Sequence, residues 1–218
     1  YNEEKSIVAT VEKFQKCCPE YDYVVVNDGS ADNTAQICEK NHFPMLNLPM
    51  NLGLAGAFQT GMKYADQQGY DCAVQFDADG QHNPEYLSSM VKEIANGHDI
   101  VIGSRFVTEK KPFTSRMLGS RLIGMAIRLT TGKRIKDPTS GMRMYNKKMI
   151  NEFAHGVNYG PEPDTVAFLL RNGARVTEVQ VSMNERTEGT SYLNFSKSIS
   201  YMVRMTVSIM LIQFFRKR

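Results

Sequence analysis

Short apolar runs rich in β-branched residues alternate with segments of helical length along most of this 218-residue chain. Five apolar runs predict strands: residues 23–26, the stretch around Leu46, and residues 72–76, 99–103 and 174–183. Six segments between them predict helices: residues 4–17, 34–41, 54–68, 84–95, 117–131 and 161–172. Because repeated strand-then-helix order is typical of parallel pairing, the pattern predicts an α/β fold with a mostly parallel sheet covered on both faces.

Polar clusters follow three of the predicted strands at the point where each strand ends. They occupy residues 27–34, 77–81 and 103–105. In open α/β sheets, ligands bind beyond the carboxyl ends of the strands. We therefore expect these clusters to lie along one rim of the sheet and to form the functional site there.

The cluster at residues 77–81 contains two carboxylates separated by one residue, Asp77 and Asp79. Two acids this close repel each other unless a cation lies between them. If the strand extends through Asp79, the two side chains share a face and can bind Mg²⁺ or Mn²⁺ together with a diphosphate. The alternative is that both acids cap the helix that begins at Pro84.

The other clusters are less specific. Asp28 lies in a tight turn after a strand, where its carboxylate could accept a uracil imide or a ribose hydroxyl, although such turns are usually only turns. Gly53 stands at a helix start and predicts close backbone packing or approach to a diphosphate. We expect His82 and His98 to be solvated loop residues.

Charge and cysteine content exclude some classes of function. The formal net charge of +3 comes from 26 basic and 23 acidic residues, which does not favour a nucleic-acid-binding protein. The four cysteines have neither metal-ligand spacing nor the pattern of a disulfide framework, so reduced thiols in the cytoplasm are expected. The chain begins at Tyr1 without methionine, and we expect its true start to be missing.

The carboxyl-terminal segment, residues 198–218, is the most hydrophobic part of the chain. Arg204 interrupts it, and Ser200, Arg204 and Ser208 mark a polar stripe at helical spacing. This pattern predicts a helix that lies in a membrane interface, with its basic end near anionic lipid, or that packs on a partner subunit in a homo-oligomer. The alternative is a buried terminal helix. We expect a catalytic domain over residues 1–195 and a separate helix over residues 196–218.

Seven motifs in one order make the chain resemble glycosyltransferase family 2, most closely its polyprenyl-phosphate and dolichyl-phosphate sugar transferases. The motifs are YNEE at residues 1–4, NDGSADNT at 27–34, NLGLAGAFQTGMKYA at 51–65, FDADGQHNPE at 76–85, GSR at 103–105, DPTSGMR at 137–143 and ERTEGTS at 185–191. The family places a strand and a proline before the first motif, and this chain lacks both. The resemblance implies a GT-A fold, a nucleotide-sugar donor, a divalent metal ion and inversion at the anomeric carbon.

The resemblance also implies roles for individual residues. It places Tyr1, Glu3 and Asp28 at the nucleoside, Asp77 at the ribose and metal, and Ser191 at a phosphate-bearing substrate. Asn51 and Gly53, before the predicted helix at 54–68, are further candidates for substrate binding, and Glu162 is another acid available for contact with the acceptor. The resemblance implies that Asp79 and Gln81 bind Mg²⁺ or Mn²⁺ directly. It implies catalytic roles for Arg105 near the diphosphate or acceptor, Asp137 as an acid or base, and Arg143 and Arg186 as phosphate clamps. Both clamp arginines could also be ordinary surface residues.

Three hypotheses of function remain from the sequence. The first is an inverting, metal-dependent enzyme that moves sugar from a UDP- or GDP-sugar to a polyprenyl phosphate, while peripherally bound to the cytoplasmic face of a membrane. The second changes the acceptor to a growing polysaccharide. The third is a non-catalytic subunit that binds a nucleotide sugar, which the complete set of acids and arginines disfavours.

Overall fold

A computed structural model describes residues 1–156, 160–184 and 195–212, and shows an α/β fold. The strands are β1 (Val25–Asn27), β2 (Met45–Asn47), β3 (Cys72–Gln75), β4 (Ile100–Ser104), β5 (Arg143–Asn146) and β6 (Val176–Gln180). The helices are α1 (Ile7–Cys17), α2 (Thr34–Lys40), α3 (Gly53–Gln67), α4 (Leu87–Ala95), α5 (Ser115–Thr131), α6 (Lys147–His155), α7 (Pro163–Arg171) and α8 (Phe195–Val207). A 3₁₀ turn at Pro84–Tyr86 leads into α4, and a π-helical turn at Ser208–Ile212 follows α8.

The strands form two sheets, and the predicted strands of the larger sheet run in the same direction. β1 and β2 pair in parallel. The other four strands have the order β3-β5-β4-β6, in which β4 and β6 are parallel and β5 is antiparallel to both of its neighbours. β3, β4 and β6 therefore point in one direction, and their carboxyl ends meet at one rim of the sheet, as the sequence predicted.

Helices cover both faces of the four-stranded sheet. Ile100 and Ile102 of β4 belong to one core cluster, which also contains buried side chains of α3, α5, α6 and α7. Val101, between them, belongs to a second cluster with side chains of α1 and α4. Successive side chains of a strand point to opposite faces, so this division shows a core on each side of the sheet.

Strand β5 and helix α6 were not predicted from the sequence. β5 contains no β-branched residue, and it begins with an arginine, so it lacks the usual composition of a strand. α6 follows without a spacer: Asn146 ends the strand, and its side chain accepts a hydrogen bond from the backbone N–H of Met149. The nine-residue helix was therefore concealed by the absence of a turn signal.

Helix α8 and the turn after it pack against α5 and α7. Met205 and Ile209 are buried in the larger core cluster. Ser200 and Arg204 are exposed as expected of a polar stripe, but Ser208 is buried and its hydroxyl donates to Oδ2 of Asp164 at 2.6 Å. No helix within the described ranges is both long and apolar enough to cross a bilayer. A boundary between residues 195 and 196 stays a prediction.

Candidate active site

The amino-terminal segment lies against the turn that follows β1. The backbone N–H of Asn2 donates to the hydroxyl of Ser30, and that of Glu3 donates to the hydroxyl of Thr34, each at 2.9 Å. Tyr1 is half-exposed at the end of this segment. The structure therefore brings the YNEE and NDGSADNT motifs together although they are far apart in sequence.

Asp28 joins the same turn to the loop before α3. Its carboxylate is buried and accepts the backbone N–H of Leu52 at 2.7 Å. Gly29, with a φ of +61°, lies so close to this loop that an added Cβ would be 2.5 Å from the carbonyl carbon of Met50. Asn51 in turn accepts the N–H of Gly53 through its side chain. These predicted substrate-binding residues thus occupy adjoining loops after β1 and β2.

Asp77, Asp79 and Gln81 lie in a turn, residues 77–81, which we call the acidic turn. β3 ends at Gln75, so the strand does not extend through Asp79 and the expected shared strand face is wrong. Asp79 is only 4% exposed, and its Oδ1 accepts the N–H of Gln81 at 3.0 Å. The helix-cap alternative is also wrong, because the side chain of Asn83 caps the turn at Pro84.

His82 supports the acidic turn and is not a solvated loop residue as expected. It is 4% exposed, and its Nδ1 accepts the backbone N–H of Asp77 at 2.9 Å. When such an imidazole is neutral, Nε2 carries the proton, and here Nε2 lies 3.6 Å from Oδ2 of Asp77. The ring therefore holds the backbone of Asp77 and lies beside its carboxylate.

The segment that precedes β5 reaches the acidic turn at Gly141. A Cβ added there would be 2.9 Å from Oδ2 of Asp77, so glycine leaves room beside this carboxylate. In the same segment, Asp137 is completely buried and forms a bidentate ion pair with Arg105. Nε of Arg105 is 2.7 Å from Oδ2, and Nη2 is 2.9 Å from Oδ1. With both oxygens held, Asp137 is placed to orient Arg105.

Arg143 does not have the exposure expected of a phosphate clamp. Its guanidinium is 2% exposed and donates to the carbonyl oxygens of Ser140, Pro138 and Pro161. A guanidinium that donates to three carbonyls in the interior has little capacity left for a substrate phosphate. Arg143 instead joins the segment before β5 to the segment before α7.

Glu162 lies in the segment that Arg143 holds. The hydroxyl of Tyr201 on α8 donates to Oε2 of Glu162. The pKa of this tyrosine is raised above its ordinary value, mainly by burial and further by the neighbouring carboxylate of Glu162. Nearby, a Cβ added to Gly160 would be 3.2 Å from Cβ of Ala55, which places this segment beside the start of α3. The segment that contains Glu162 therefore lies beside the start of α3, where Gly53 is found.

Two predicted site residues, Arg186 and Ser191, lie outside the described residues. Asn184, which precedes them, donates its backbone N–H to the carbonyl oxygen of Gln81 at 3.0 Å and its side-chain amide to the carbonyl oxygen of Gly80. The chain therefore passes the acidic turn at Asn184. The roles of Arg186 and Ser191 stay predictions.

A groove of about 720 Å³ is lined by residues between Phe106 and Lys136. We call it the basic groove. Its lining combines six cationic side chains and one carboxylate with several large apolar side chains. The cations are Lys110, Lys111, Arg121, Arg128, Arg134 and Lys136, the carboxylate is Glu109, and the apolar residues include Phe106, Phe113, Met125 and Ile135. Arg105 and Lys111 both lie over the ring of Phe106, at 5.2 Å from its centre. Burial lowers the pKa of Lys111 below its ordinary value.

Sequence reasoning missed the basic groove, although a charge count would have indicated it. Residues 105–136 contain nine basic residues and one acidic residue, in a chain whose formal net charge is only +3. Averaging over the whole chain concealed this segment. A groove with apolar walls and cationic side chains can bind a ligand that combines a hydrocarbon part with phosphate.

The predicted site residues include oxygen ligands and a fixed cation. Two carboxylates and the side-chain amide of Gln81 belong to the acidic turn, and Arg105 is fixed by Asp137. Within the described ranges, no group of three or more histidine, cysteine, aspartate or glutamate side chains is placed to hold a metal ion. A divalent ion at the acidic turn would need further oxygen ligands from a substrate such as a diphosphate.

Known proteins match this chain over most of its length. The model of the family described as glycosyl transferase family 2 matches residues 1–153. Over 206 residues the chain is 31% identical to undecaprenyl-phosphate mannosyltransferase of Micrococcus luteus, covering 89% of this chain and 84% of that protein. It is 28% identical to polyprenol monophosphomannose synthase of Mycolicibacterium smegmatis over 209 residues, covering 90% and 79%.

A solved structure with the same fold was crystallised with a nucleotide sugar. Glucosyl-3-phosphoglycerate synthase of Mycobacterium tuberculosis, crystallised with Mn²⁺, UDP-glucose and glycerol 3-phosphate, superimposes with a TM-score of 0.63 at 16% identity. The match covers 100% of this chain and 78% of that one. The expected GT-A fold is confirmed, and the third hypothesis, a non-catalytic binding subunit, is not supported. The chain belongs to glycosyl transferase family 2 and is a glycosyltransferase.

Proposed function

We propose that this enzyme transfers a sugar from a UDP- or GDP-sugar to a polyprenyl phosphate, with inversion at the anomeric carbon, at the cytoplasmic face of a membrane. The observation that carries the proposal is the basic groove. Its cationic side chains suit a phosphate and its apolar walls suit the first units of a lipid chain. One relative described above is named as a mannosyltransferase for undecaprenyl phosphate, and the other as a synthase of polyprenol monophosphomannose.

The acidic turn supports the use of Mg²⁺ or Mn²⁺. Its donors are carboxylate and amide oxygens, which hard divalent ions prefer, and Gly141 leaves space at Asp77 that any larger residue would fill. We assign Asp77, Asp79 and Gln81 as the residues that would hold the ion. When bound, it would stabilise negative charge on the departing nucleoside diphosphate. The solved relative that carries Mn²⁺ has the same fold.

The chain's own residues account for the rest of the reaction. An oxygen of the acceptor phosphate attacks the anomeric carbon, the bond from that carbon to the diphosphate oxygen breaks, and the diphosphate leaves with the electron pair. The acceptor phosphate is already ionised near neutral pH, so no base has to remove a proton. Arg105 is held rigid by Asp137, and it can direct its charge at a phosphate without reorganisation.

We assign the remaining predicted residues to the two substrates. Tyr1, Glu3 and Asp28 would bind the nucleoside, and the loop at Asn51 and Gly53 would approach the diphosphate. Glu162 would contact the acceptor. We propose a positioning role for Arg143 in place of the phosphate contact, because its guanidinium is committed to three carbonyl groups.

The test is a transfer assay in detergent with a panel of UDP- and GDP-sugars, and with polyprenyl phosphate or a glycan as acceptor. We expect one nucleotide sugar to yield a polyprenyl-phosphate sugar, identified by mass spectrometry. EDTA should abolish product, and Mg²⁺ or Mn²⁺ should restore it. Transfer to the glycan alone would show that the second hypothesis from the sequence is correct and this proposal is wrong.

Replacing Asp79 tests the acidic turn. Asp79→Asn should lower transfer by at least about a hundredfold, because a neutral amide replaces a charged ligand. Asp71→Asn is the matched control, since Asp71 lies at the opposite end of β3 and its side chain is 94% exposed. Metal-dependent transfer at the normal rate in Asp79→Asn would remove Asp79 from the site.

A further inference from the structure

Exposed apolar side chains of this protein are concentrated on one part of its surface. Among the described residues, thirteen large apolar side chains are exposed, and nine of them belong to α5, the loop before it, or α8 with its following turn. The four on α5 are Leu118, Leu122, Met125 and Leu129. Their spacing of four, three and four residues places them in a single stripe along the helix.

Helix α8 extends this stripe sideways. Gly119 lies at one margin of the α5 stripe, and a Cβ added there would be 1.2 Å from the sulfur of Met202, so α8 packs closely on that side. α8 and the turn after it expose Val203, Val207, Met210 and Leu211. We call the two exposed stripes together the apolar face. An area of this kind on one side of a soluble domain is typical of an interaction surface.

Positive charge borders the apolar face at its other margin. Arg121 and Arg128 lie on α5 at that margin, and both line the basic groove. The guanidinium of Arg121 lies 4.5 Å above the ring of Phe113, which is itself 92% exposed. The segment that contains α5 carries nine basic residues against one acidic residue, whereas the rest of the chain has more acidic than basic residues.

We propose that the apolar face, with α5 at its centre, docks on an anionic membrane surface. A helix with an apolar stripe and arginines at its margin binds in the plane of a bilayer interface, where the stripe enters the acyl boundary and the cations meet lipid headgroups. The predicted carboxyl-terminal helix is then only one part of the contact. The inference rests on the proposed function in one respect, that the acceptor is a lipid phosphate. This acceptor would enter the basic groove from the side of the protein that docks on the membrane.

The experiment is flotation of the full chain with vesicles that contain no polyprenyl phosphate and no nucleotide sugar. We expect binding to vesicles of phosphatidylglycerol and phosphatidylcholine, weak binding to phosphatidylcholine alone, and loss of binding at high salt. The double variant Leu122→Gln/Leu129→Gln should bind at least about tenfold more weakly, since two apolar side chains no longer enter the bilayer. Leu54→Gln, at 55% exposure against 48% for Leu122, is the matched control and should bind normally.

Three outcomes would overturn the docking surface. The first is equal binding of the double variant and the wild type, and the second is equal binding to charged and neutral vesicles. The third is a wild-type dimer that the double variant dissociates, which would assign the face to a second copy of the chain. Melting temperatures check folding, and the single variant Leu129→Gln replaces the double variant if that one is unstable. Transfer in detergent should persist in these variants, so failed docking and failed transfer are distinguishable.

Discussion

Two arginines with predicted catalytic roles have different environments in the folded protein. Arg105 is partly exposed and held by one buried carboxylate, which leaves part of its guanidinium accessible. Arg143 is buried and donates to three carbonyl groups. The motif DPTSGMR therefore supplies an orienting acid and a structural cross-link, and it holds Gly141 beside Asp77.

His82 gives a prediction at the same scale. His82→Ala removes the acceptor for the N–H of Asp77 and the ring beside its carboxylate. We expect binding of UDP or GDP in the presence of Mn²⁺ to weaken on the order of 10- to 100-fold, because residues that orient metal ligands have effects of that size. Isothermal titration calorimetry measures this directly.

His98→Ala is the control for that variant. His98 is partly exposed, and its ring lies beside Glu93. It is well separated from the acidic turn in the sequence. Nucleotide affinity should be unchanged in this variant. If both histidine variants bind nucleotide like the wild type, His82 does not position Asp77.

At the scale of elements, the core is tied together where strands meet. The carboxylate of Asp99, which precedes β4, accepts two hydrogen bonds. One comes from the backbone N–H of Arg175, which precedes β6, at 2.7 Å, and the other from the side-chain amide of Asn146, at the end of β5, at 2.9 Å. One carboxylate therefore joins the ends of three strands. This contact lies at the ends of β4 and β6 opposite the functional rim.

Asp99 makes the stability of the fold depend on pH. Burial tends to raise its pKa, but the hydrogen bonds from Arg175 and Asn146 outweigh burial and lower the pKa below the ordinary 3.8. A carboxyl whose pKa is lower in the folded state stabilises the fold above its ordinary pKa, and this contribution is lost as the pH falls through the folded-state pKa. Asp99→Asn should lower the free energy of unfolding at pH 7 by on the order of 1–3 kcal/mol.

Urea unfolding at pH 7 and near pH 3 measures this effect. The difference between wild type and Asp99→Asn should shrink at the lower pH, where the wild-type carboxyl becomes protonated. A difference that is the same at both pH values would show that the charge of Asp99 does not matter. Asp71→Asn, at an exposed aspartate, should change neither measurement.

At the scale of the whole molecule, helix α8 and the turn after it lie between the apolar face and the segment that contains Glu162. Their outer residues are exposed, while Met205 and Ile209 belong to the main core. Tyr201 and Ser208 contact Glu162 and Asp164 in the segment that Arg143 also holds. Deleting this helix would therefore damage the fold as well as any membrane contact.

Ser208→Ala tests how closely α8 is integrated. The change removes the hydroxyl that donates to the buried carboxylate of Asp164 at 2.6 Å. We expect the free energy of unfolding to fall by about 1–3 kcal/mol in a single transition, because a buried acceptor loses a donor. Unchanged stability, or a separate early transition for α8, would show that the helix is not part of the cooperative unit.

Much of the fold could be predicted because its signals are local. Among the described residues, short β-branched runs and helical segments identified five of the six strands and most of the helices. That the substrates bind at the carboxyl ends of these strands stays a prediction. β5 and α6 escaped because neither has its usual composition or a turn between them. The two aspartates indicated where the acidic turn lies, but the sequence did not predict that these residues form a turn. The end of β3 depends on its pairing with β5, which the sequence does not show.

The sequence by itself determined the class of fold, the family and the identity of the motifs, because periodicity and motif order are properties of neighbouring residues. Only the tertiary structure decided which polar side chains are buried and what they contact. Asp137 orients Arg105, Arg143 binds carbonyl groups and His82 supports Asp77, through partners up to 32 residues away. Burial and hydrogen-bond partners arise from distant segments that pack together, so motif position alone cannot distinguish a residue that contacts substrate from one that holds the site in place.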